Sequence, residues 1–296
     1  DRNESDCVEG LASLLAAGRD YEEVMGFDPV RSDMTTAAKA AMTAAERVAG
    51  PLPLYLNHRE AYRGGRTEAF RLFDCGEVDE WDVNSSYPAA FLDLPEKDTL
   101  LFARVNVPVT PAPCPFFRHG PREDGLLFPA GRFDTYFFES TYERYIQPWA
   151  PGLVEKIYER TPVDFAWIKG ACPLIERAFA LKAKGGALAY PAKIAMNSLY
   201  GRMGLKPETT ISYVAQEIPD RPHVTYFRLP RGGFYVFFQA HREINKGANY
   251  LFAAAVTDNA RGRLYDGMMK VGKALYCDTD SIFVPKGCAG LVESKE

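Results

Sequence analysis

The sequence predicts an α+β chain in which short strands, some carrying acidic residues, are interspersed with longer helices. Three stretches predict it. Tyr276-Cys277-Asp278-Thr279-Asp280-Ser281 lies between Ala274-Leu275 and Ile282-Phe283-Val284, so two short strands meet at a tight acidic turn. Residues 249–270 repeat Phe252, Val256, Ala260, Leu264 and Met268 at helical spacing, which reads as a core stripe rather than a ligand site. Residues 209–240 hold three strand-like runs around Pro219, Pro222 and Gly232-Gly233.

The other elements follow in chain order. Residues 6–17 have helical spacing and end at Gly18, a plausible C-cap. Residues 35–49 are an Ala-rich helix started by Thr35 or Thr36, and Gly50-Pro51-Leu52-Pro53 marks a domain boundary. Residues 67–73 and 79–85 read as strands joined by the turn Asp74-Cys75-Gly76. Tyr87-Pro88 ends the second strand, and a short helix starts at Ala89. Residues 100–108 alternate as a strand, and the proline-rich residues 109–124 read as a loop. Residues 139–147 suggest a helix, and 153–159 and 163–168 suggest strands. Pro173 to Lys184 is a helix, interrupted by Gly185-Gly186 before a second helix over Ala189 to Met203.

Composition bounds the class. The chain has 296 residues, 47% hydrophobic and 25% charged, ordinary values for a globular protein with ample core. No run reaches the ~18 apolar residues of a membrane span. No signal-peptide pattern opens the chain, which begins at Asp1 without a methionine and so reads as a trimmed piece. Cys7, Cys75, Cys114, Cys172, Cys277 and Cys288 are scattered without metal-like spacing, so reduced thiols and a cytoplasmic location are expected. The net charge of −4 does not advertise nucleic-acid binding, although a cleft can be locally basic.

Chemistry concentrates in four stretches. The acidic turn sets Asp278 and Asp280 two residues apart, where they repel and where a divalent cation would relieve the repulsion. Asp82-Val83-Asn84-Ser85-Ser86-Tyr87-Pro88 supplies a third carboxylate from another predicted strand. Lys193-Ile194-Ala195-Met196-Asn197-Ser198-Leu199-Tyr200-Gly201 sets Lys193, Asn197, Tyr200 and Gly201 on one helix face. Tyr62-Arg63-Gly64-Gly65-Arg66 pairs glycines that allow close backbone approach with arginines suited to phosphate and an aromatic suited to base stacking.

In this order the Asp82, Lys193 and Tyr276 stretches resemble motifs A, B and C of family B DNA polymerases: DxxSLYP, KxxxNSxYG and YxDTDS. The resemblance runs from about Asp6 to Pro285. Tyr62-Arg63-Gly64-Gly65 is similar to the YxGG motif of the protein-primed members, found in phages, linear plasmids and mobile elements. Ser86 stands where the family usually has leucine.

The resemblance implies a polymerase palm, an antiparallel sheet bearing the catalytic carboxylates and backed by helices, with a helical fingers subdomain. It divides the chain into an exonuclease-domain remnant at 1–50, a linker and first part of the palm at 51–170, fingers at 171–208, and a β-rich insertion with the second part of the palm at 209–296. Asp6 would be the remnant of the last exonuclease motif, with Arg2 in place of its tyrosine partner. The loop at 109–124 falls where the first terminal-protein region is inserted, and the strands at 209–240 fall where a template-surrounding hairpin is inserted. A thumb and a lysine-bearing strand are expected after motif C, and neither is legible after Pro285.

The implied activity is template-directed transfer of dNMP to a primer 3′ hydroxyl by two Mg²⁺ ions, for which Mn²⁺ can substitute. Asp82, Asp280 and the Val83 carbonyl would hold the metals, with Asp278 in support. Tyr87 would select the sugar, so dNTPs are the expected substrate. Lys193, and Lys182 or Lys184, would meet the triphosphate. Asn197 and Tyr200 would line the nascent base pair. Tyr62, Arg63, Gly64, Gly65, Ser85, Ser198 and Gly201 would contact DNA. The expected partners are DNA template and primer, dNTPs and, where priming is by protein, a terminal protein. The alternative is a catalytically impaired DNA-binding fragment or accessory module. An RNA-synthesising enzyme is disfavoured by Tyr87, and a two-metal nuclease has no use for the Lys193 motif.

Overall fold

The computed structural model describes residues 25, 34–53, 57–72, 76–119, 126–186, 189–205, 208–220, 224–230, 232–241 and 248–288. The elements in order are α1 (Met34–Ala49), a 3₁₀ turn (Arg59–Ala61), β1 (Thr67–Ala69), β2 (Val78–Asp82), α2 (Ser86–Leu92), β3 (Lys97–Val107), β4 (Arg118–His119), β5 (Leu126–Leu127) and β6 (Gly131–Phe138). Then come α3 (Glu139–Thr141), a π-helical turn (Tyr142–Ile146), β7 (Val154–Asp164), α4 (Ala166–Lys184) and α5 (Ala189–Met203). The chain continues with β8 (Glu208–Ala215), β9 (Thr225–Arg228), β10 (Phe234–His241), α6 (Tyr250–Val271), β11 (Tyr276–Asp278) and β12 (Ser281–Pro285). Every described strand pairing is antiparallel. The fold is therefore the mixed helix and antiparallel-sheet class that the sequence predicts.

Helix α6 holds the structure together. Asn249 caps it, its side-chain oxygen accepting from the Phe252 N–H at 2.9 Å, and Gly272 ends it in the left-handed region (φ 66°). The predicted stripe of Phe252, Val256, Ala260, Leu264 and Met268 is buried along its whole length. The N-terminal half of α6 packs in one core with residues of α1, α2, α4 and α5. Its C-terminal half packs in a second core with β3, β6 and the β11–β12 hairpin, where Cys277, Ile282 and Val284 are fully buried. Thr257, Asp258, Asn259 and Arg261 are buried as well, so the helix is enclosed on its polar side too.

Several sequence expectations change. The runs at 67–73 and 79–85 are not neighbours: the sheet order is β1-β11-β12-β2, with the acidic hairpin between them. Hairpin pairing with both outer strands satisfies more backbone groups than a direct turn would. Tyr87-Pro88 lies inside α2, where Pro88 falls in the first turn and its missing N–H costs no helical bond. The strands expected at 153–159 and 163–168 are one bulged strand, β7, paired with β3, and α4 begins at Ala166. Pro173 therefore sits within α4, because Trp167, Ile168 and Ala171 bury the turns before it. The 109–124 loop contains β4, paired with β5. Residues 139–147 wind partly as a π-helix. The three runs at 209–240 form the expected sheet, in the order β8-β10-β9. The predicted helix at 6–17, with Asp6, and the turn residues Asp74 and Cys75 lie outside the described residues.

Among the described residues no helix is long and apolar enough to cross a membrane. Four described cysteines, Cys114, Cys172, Cys277 and Cys288, are free thiols.

Gly262 shows how tightly α6 is seated. A Cβ there would lie 2.7 Å from Thr141 Cγ2 and 2.8 Å from Tyr145 Cδ2. A glycine-to-alanine change inside a helix gains up to about 1 kcal/mol in propensity. Overpacking costs about 1–3 kcal/mol, so the clash wins. Gly262→Ala is expected to lower the urea midpoint of unfolding.

Candidate active site

The two-residue turn Thr279-Asp280 sits where the four-stranded sheet presents its acidic residues. Asp278 is paired across the hairpin with Ser281, and Ser281 is paired on its other side with Asp82. This register brings the Asp82 and Asp280 motifs together from strands far apart in the sequence. The Val83 N–H donates to the Asp280 carbonyl at 2.9 Å, tying the two stretches directly. The Thr279 N–H donates to the Arg66 carbonyl at 2.7 Å, tying the turn to the end of the Gly64-Gly65 stretch.

The three carboxylates have different surroundings. Asp82 is exposed and Asp280 is half-buried. Burial raises the Asp280 carboxyl above the usual carboxylate range; Asp82 and Asp278 push it the same way, and Lys193 opposes them. Asp278 accepts hydrogen bonds from Thr67 Oγ1 at 2.9 Å and Thr279 Oγ1 at 3.1 Å. Its carboxylate is thus engaged by the sheet, while the negative charge of Asp82 acts against ionisation of Asp280.

This donor set fits a divalent cation of the magnesium type. All the candidate ligands are oxygen atoms, and the repulsion felt by Asp280 is what a bound cation would offset. Among the described residues no group of three or more His, Cys, Asp or Glu side chains could hold a metal. Mg²⁺ keeps most of its waters and uses one or two carboxylates plus substrate phosphates, so a pair suffices for it.

The helical motif faces this pair. Lys193 is exposed and acts electrostatically on Asp280. Tyr200 stacks on Tyr87, with ring centroids 4.5 Å apart and an interplanar angle of 29°. Asn197 and Ser198 are half-buried on the same helix. A Cβ on Gly201 would meet nothing within 4 Å, so its bare backbone is open to a close approach. Lys182 is distinguished from Lys184 by its contacts. Its ammonium donates to Asn84 Oδ1 at 2.5 Å and Ser85 Oγ at 2.7 Å, whereas Lys184 is exposed at the end of α4. Ser85 has a left-handed backbone (φ 52°) as it turns the chain from β2 into α2.

The Tyr62-Arg63-Gly64-Gly65 stretch packs onto the same site. A Cβ on Gly65 would lie 2.7 Å from Thr279 Cγ2, 2.8 Å from the Tyr87 hydroxyl and 2.9 Å from Thr279 Cα. Only glycine allows the backbone to lie this close to the acidic turn. The Gly65 backbone also hydrogen-bonds the Tyr87 hydroxyl. Tyr62 packs its ring against Gly204, just beyond α5. Arg63 turns one guanidinium nitrogen back to the Tyr62 carbonyl at 3.2 Å, and Gly64 is open to solvent. Arg66 corrects the expectation that both flanking arginines serve phosphate. Its guanidinium is buried and bonded to Glu68 and to the Cys114 carbonyl. The interior there offers paired acceptors and no solvent path.

Two residues that the sequence did not single out support this arrangement. Arg261 Nη1 donates to the Arg63 and Gly64 carbonyls, each at 2.8 Å, and Arg261 pairs with Asp258 at 3.1 Å. The second Asp258 oxygen accepts from the Phe138 N–H at 2.8 Å. An acid and a base three residues apart, flanked by the apolar stripe of Val256, Ala260 and Leu264, was the available signal.

The tyrosines respond to this enclosure. Burial pushes the Tyr87 hydroxyl up to about 12, with Arg261 opposing, and burial raises Tyr200 as well. A tyrosine raised on folding contributes stability that is complete below pH ~10, its unfolded value, and is lost as pH rises through the folded value. Tyr87→Phe is therefore expected to flatten the fall of the urea midpoint between pH ~10 and ~12. Tyrosinate absorbance recorded on the same samples checks which ring titrates.

No protein-family model matches the sequence, and no curated protein matches it. Solved structures do. The chain superposes on phi29 DNA polymerase in its orthorhombic crystal form with a TM-score of 0.58 and 17% identity, over 84% of this chain and 48% of that one. Against the ternary complex of phi29 DNA polymerase with primer-template DNA and incoming nucleotide, the TM-score is 0.54 at 18% identity, with the same coverage. Against its post-translocation binary complex with primer-template DNA, the TM-score is 0.55 at 17% identity, over 85% and 48%. The chain thus spans about half the length of the polymerase it resembles. What it shares with phi29 DNA polymerase is the fold.

Proposed function

We infer that the chain is the polymerising part of a family B DNA polymerase of the protein-primed type. The observation that carries this is the convergence of four separate stretches on one site: Asp82, the Asp278-Thr279-Asp280 turn, the Lys193–Gly201 helix face and Gly64-Gly65. The fold shared with phi29 DNA polymerase supports the same reading. In it, the β1-β11-β12-β2 sheet is the palm, and α4 and α5 are the fingers. The proposed divisions are 1–50, 51–170, 171–208 and 209–296. DNA template, primer and dNTPs are the substrates, and a terminal protein is the candidate primer of this type.

Asp82, Asp280 and the Val83 carbonyl would hold Mg²⁺. When bound, the metal lowers the pKa of the primer 3′ hydroxyl and stabilises the leaving pyrophosphate. Asp278, bonded to Thr67 and Thr279, keeps the turn in shape rather than serving as a ligand. Lys193 offers a point charge to the triphosphate, and Lys182 offers a second once it leaves Asn84 and Ser85. Tyr87, wedged between Tyr200 and Gly65, forms the floor on which the sugar rests and meets a 2′ hydroxyl sterically. Asn197 and Tyr200 line the base pair, and Gly201 gives the template room. Ser85, Ser198, Tyr62, Arg63 and Gly64 remain the proposed DNA contacts.

The test is Mg²⁺-dependent extension of a labelled primer on a DNA template. Asp280→Asn should reduce extension by at least about 10³-fold, since one metal ligand is removed from the reacting centre. DNA binding without extension by the parent chain would favour the binding-module alternative instead. A second variant addresses the sugar. Tyr87→Val should raise the ratio of rNTP to dNTP incorporation by about tenfold or more, measured by single-nucleotide kinetics. Unchanged discrimination with retained activity would remove Tyr87 from that role.

A further inference from the structure

The turn between β11 and β12 is strained and held from both sides. Thr279 is β-branched and adopts φ 56°. Such a conformation persists only where the surroundings over-determine it. On the β2 side the Val83 N–H bonds the Asp280 carbonyl; on the β1 side the Arg66 carbonyl accepts from Thr279. Gly65 fills the space beneath the turn.

The Arg66 carbonyl restrains the turn only as firmly as Arg66 is itself restrained. Its residue is 2% exposed. Nε and Nη2 donate to Glu68 Oε2 at 2.8 and 2.5 Å, and Nη1 donates to the Cys114 carbonyl at 2.7 Å. The Phe128 ring centroid lies 3.9 Å from the guanidinium carbon and that of Phe70 5.3 Å. A guanidinium buried this completely loses its water and is tolerated only with such partners. An apolar side chain would fill the same space without that requirement. The arginine adds a side-chain link from the Cys114 segment after β3 to the β1–β11 ladder that runs into the acidic turn.

We propose that Arg66 is a positioning residue for the Asp82–Asp280 site. Its side chain, clamped by Glu68, the Cys114 carbonyl and Phe128, fixes the carbonyl that holds Thr279, and so sets where the Asp280 carboxylate stands relative to Asp82. What that site does rests on the polymerase reading; the clamp does not.

The experiment compares the parent chain, Arg66→Met/Glu68→Leu and Asp280→Asn. The double variant replaces the ion pair with apolar groups, a change that is often neutral for stability. Three quantities are read: thermal midpoint, Mn²⁺ binding by electron paramagnetic resonance, and hydrogen exchange of the segment from Tyr276 to Phe283. Primer extension is measured alongside. The double variant should keep the parent's midpoint but lose protection across the turn. It should also bind Mn²⁺ about tenfold more weakly, the usual effect of losing a group that orients a metal ligand. Its kcat should fall by a similar factor with the KM for dNTP unchanged. A folded double variant with parental Mn²⁺ affinity and protection overturns the proposal. Should it unfold, Arg66→Lys, which keeps the charge and loses the fork, is put through the same measurements with the same two outcomes. A parent that binds Mn²⁺ through Asp280 yet extends no primer overturns the polymerase reading alone, and the Mn²⁺ comparison still decides the role of Arg66. A parent with no Asp280-dependent Mn²⁺ binding overturns both.

Discussion

Helix α6 is buried on both its apolar and its polar side from Tyr250 to Gly262, with exposure only further on, at Arg263, Asp266, Met269 and Lys270, and that constraint organises the rest of the structure. A helix with one wet face could leave its polar side chains to solvent. This one cannot, so each buried polar group needs a partner inside the protein. Thr257 bonds back to the Ala253 and Ala254 carbonyls of its own helix. The others reach outward. Asn259 donates to the Ala90 carbonyl of α2 at 3.0 Å. Asp258 accepts from Phe138 at the end of β6, and Arg261 donates to the Arg63 and Gly64 carbonyls. The helix thereby fixes the element after Asp82, the sheet behind it and the glycine loop packed against the acidic turn.

The ion pair within α6 shows why such a device is specific rather than merely stabilising. Removing one partner would leave a buried charge uncompensated at a cost of about 3–5 kcal/mol. Burial raises the Asp258 carboxyl, with Arg261 and the Phe138 N–H opposing that shift. The pair is held by geometry that an apolar substitute could match in stability but not in direction. Only the guanidinium reaches two successive carbonyls of the Gly64-Gly65 loop from one nitrogen. Arg66 repeats the logic on the other side of the same loop, with Glu68 in place of Asp258. The loop is thus gripped by two buried cations, one acting on its carbonyls and one contiguous with it.

These supports converge on a small region where local preference is overruled. Ser85 and Thr279 both take left-handed backbone conformations, and Asp280 is half-buried beside Asp82. Strain and like-charge repulsion at one place are costs that surrounding structure must offset. Here the offset comes from the hydrogen bonds of Val83 and Arg66 to the turn, and from the stacking of Tyr87 on Tyr200. The arrangement keeps charged and strained groups in one orientation before any ligand arrives, which is the property that electrostatic catalysis requires.

By itself the sequence determined the local elements whose signals are local. The stripe from Phe252 to Met268, the helix Ala189–Met203, the acidic hairpin and the three strands of 209–240 were legible because periodicity and turn chemistry act between near neighbours. The candidate residues Asp82, Tyr87, Lys193, Tyr200 and Asp280 were legible as types in patterns. Their assembly around one turn was implied only by the family resemblance and not by any local pattern, because strand order is a long-range choice: β1 and β2, close in sequence, take opposite edges of the sheet with the hairpin between them. Nor was the fate of Arg66, Asp258 and Arg261. A charged residue reads as solvent-facing until packing surrounds it, and only the tertiary structure decided that these three are buried, paired and turned toward backbone carbonyls. The same holds for the bonds of Lys182 to Asn84 and Ser85, since two lysines near a helix end differ only in what the fold brings within reach.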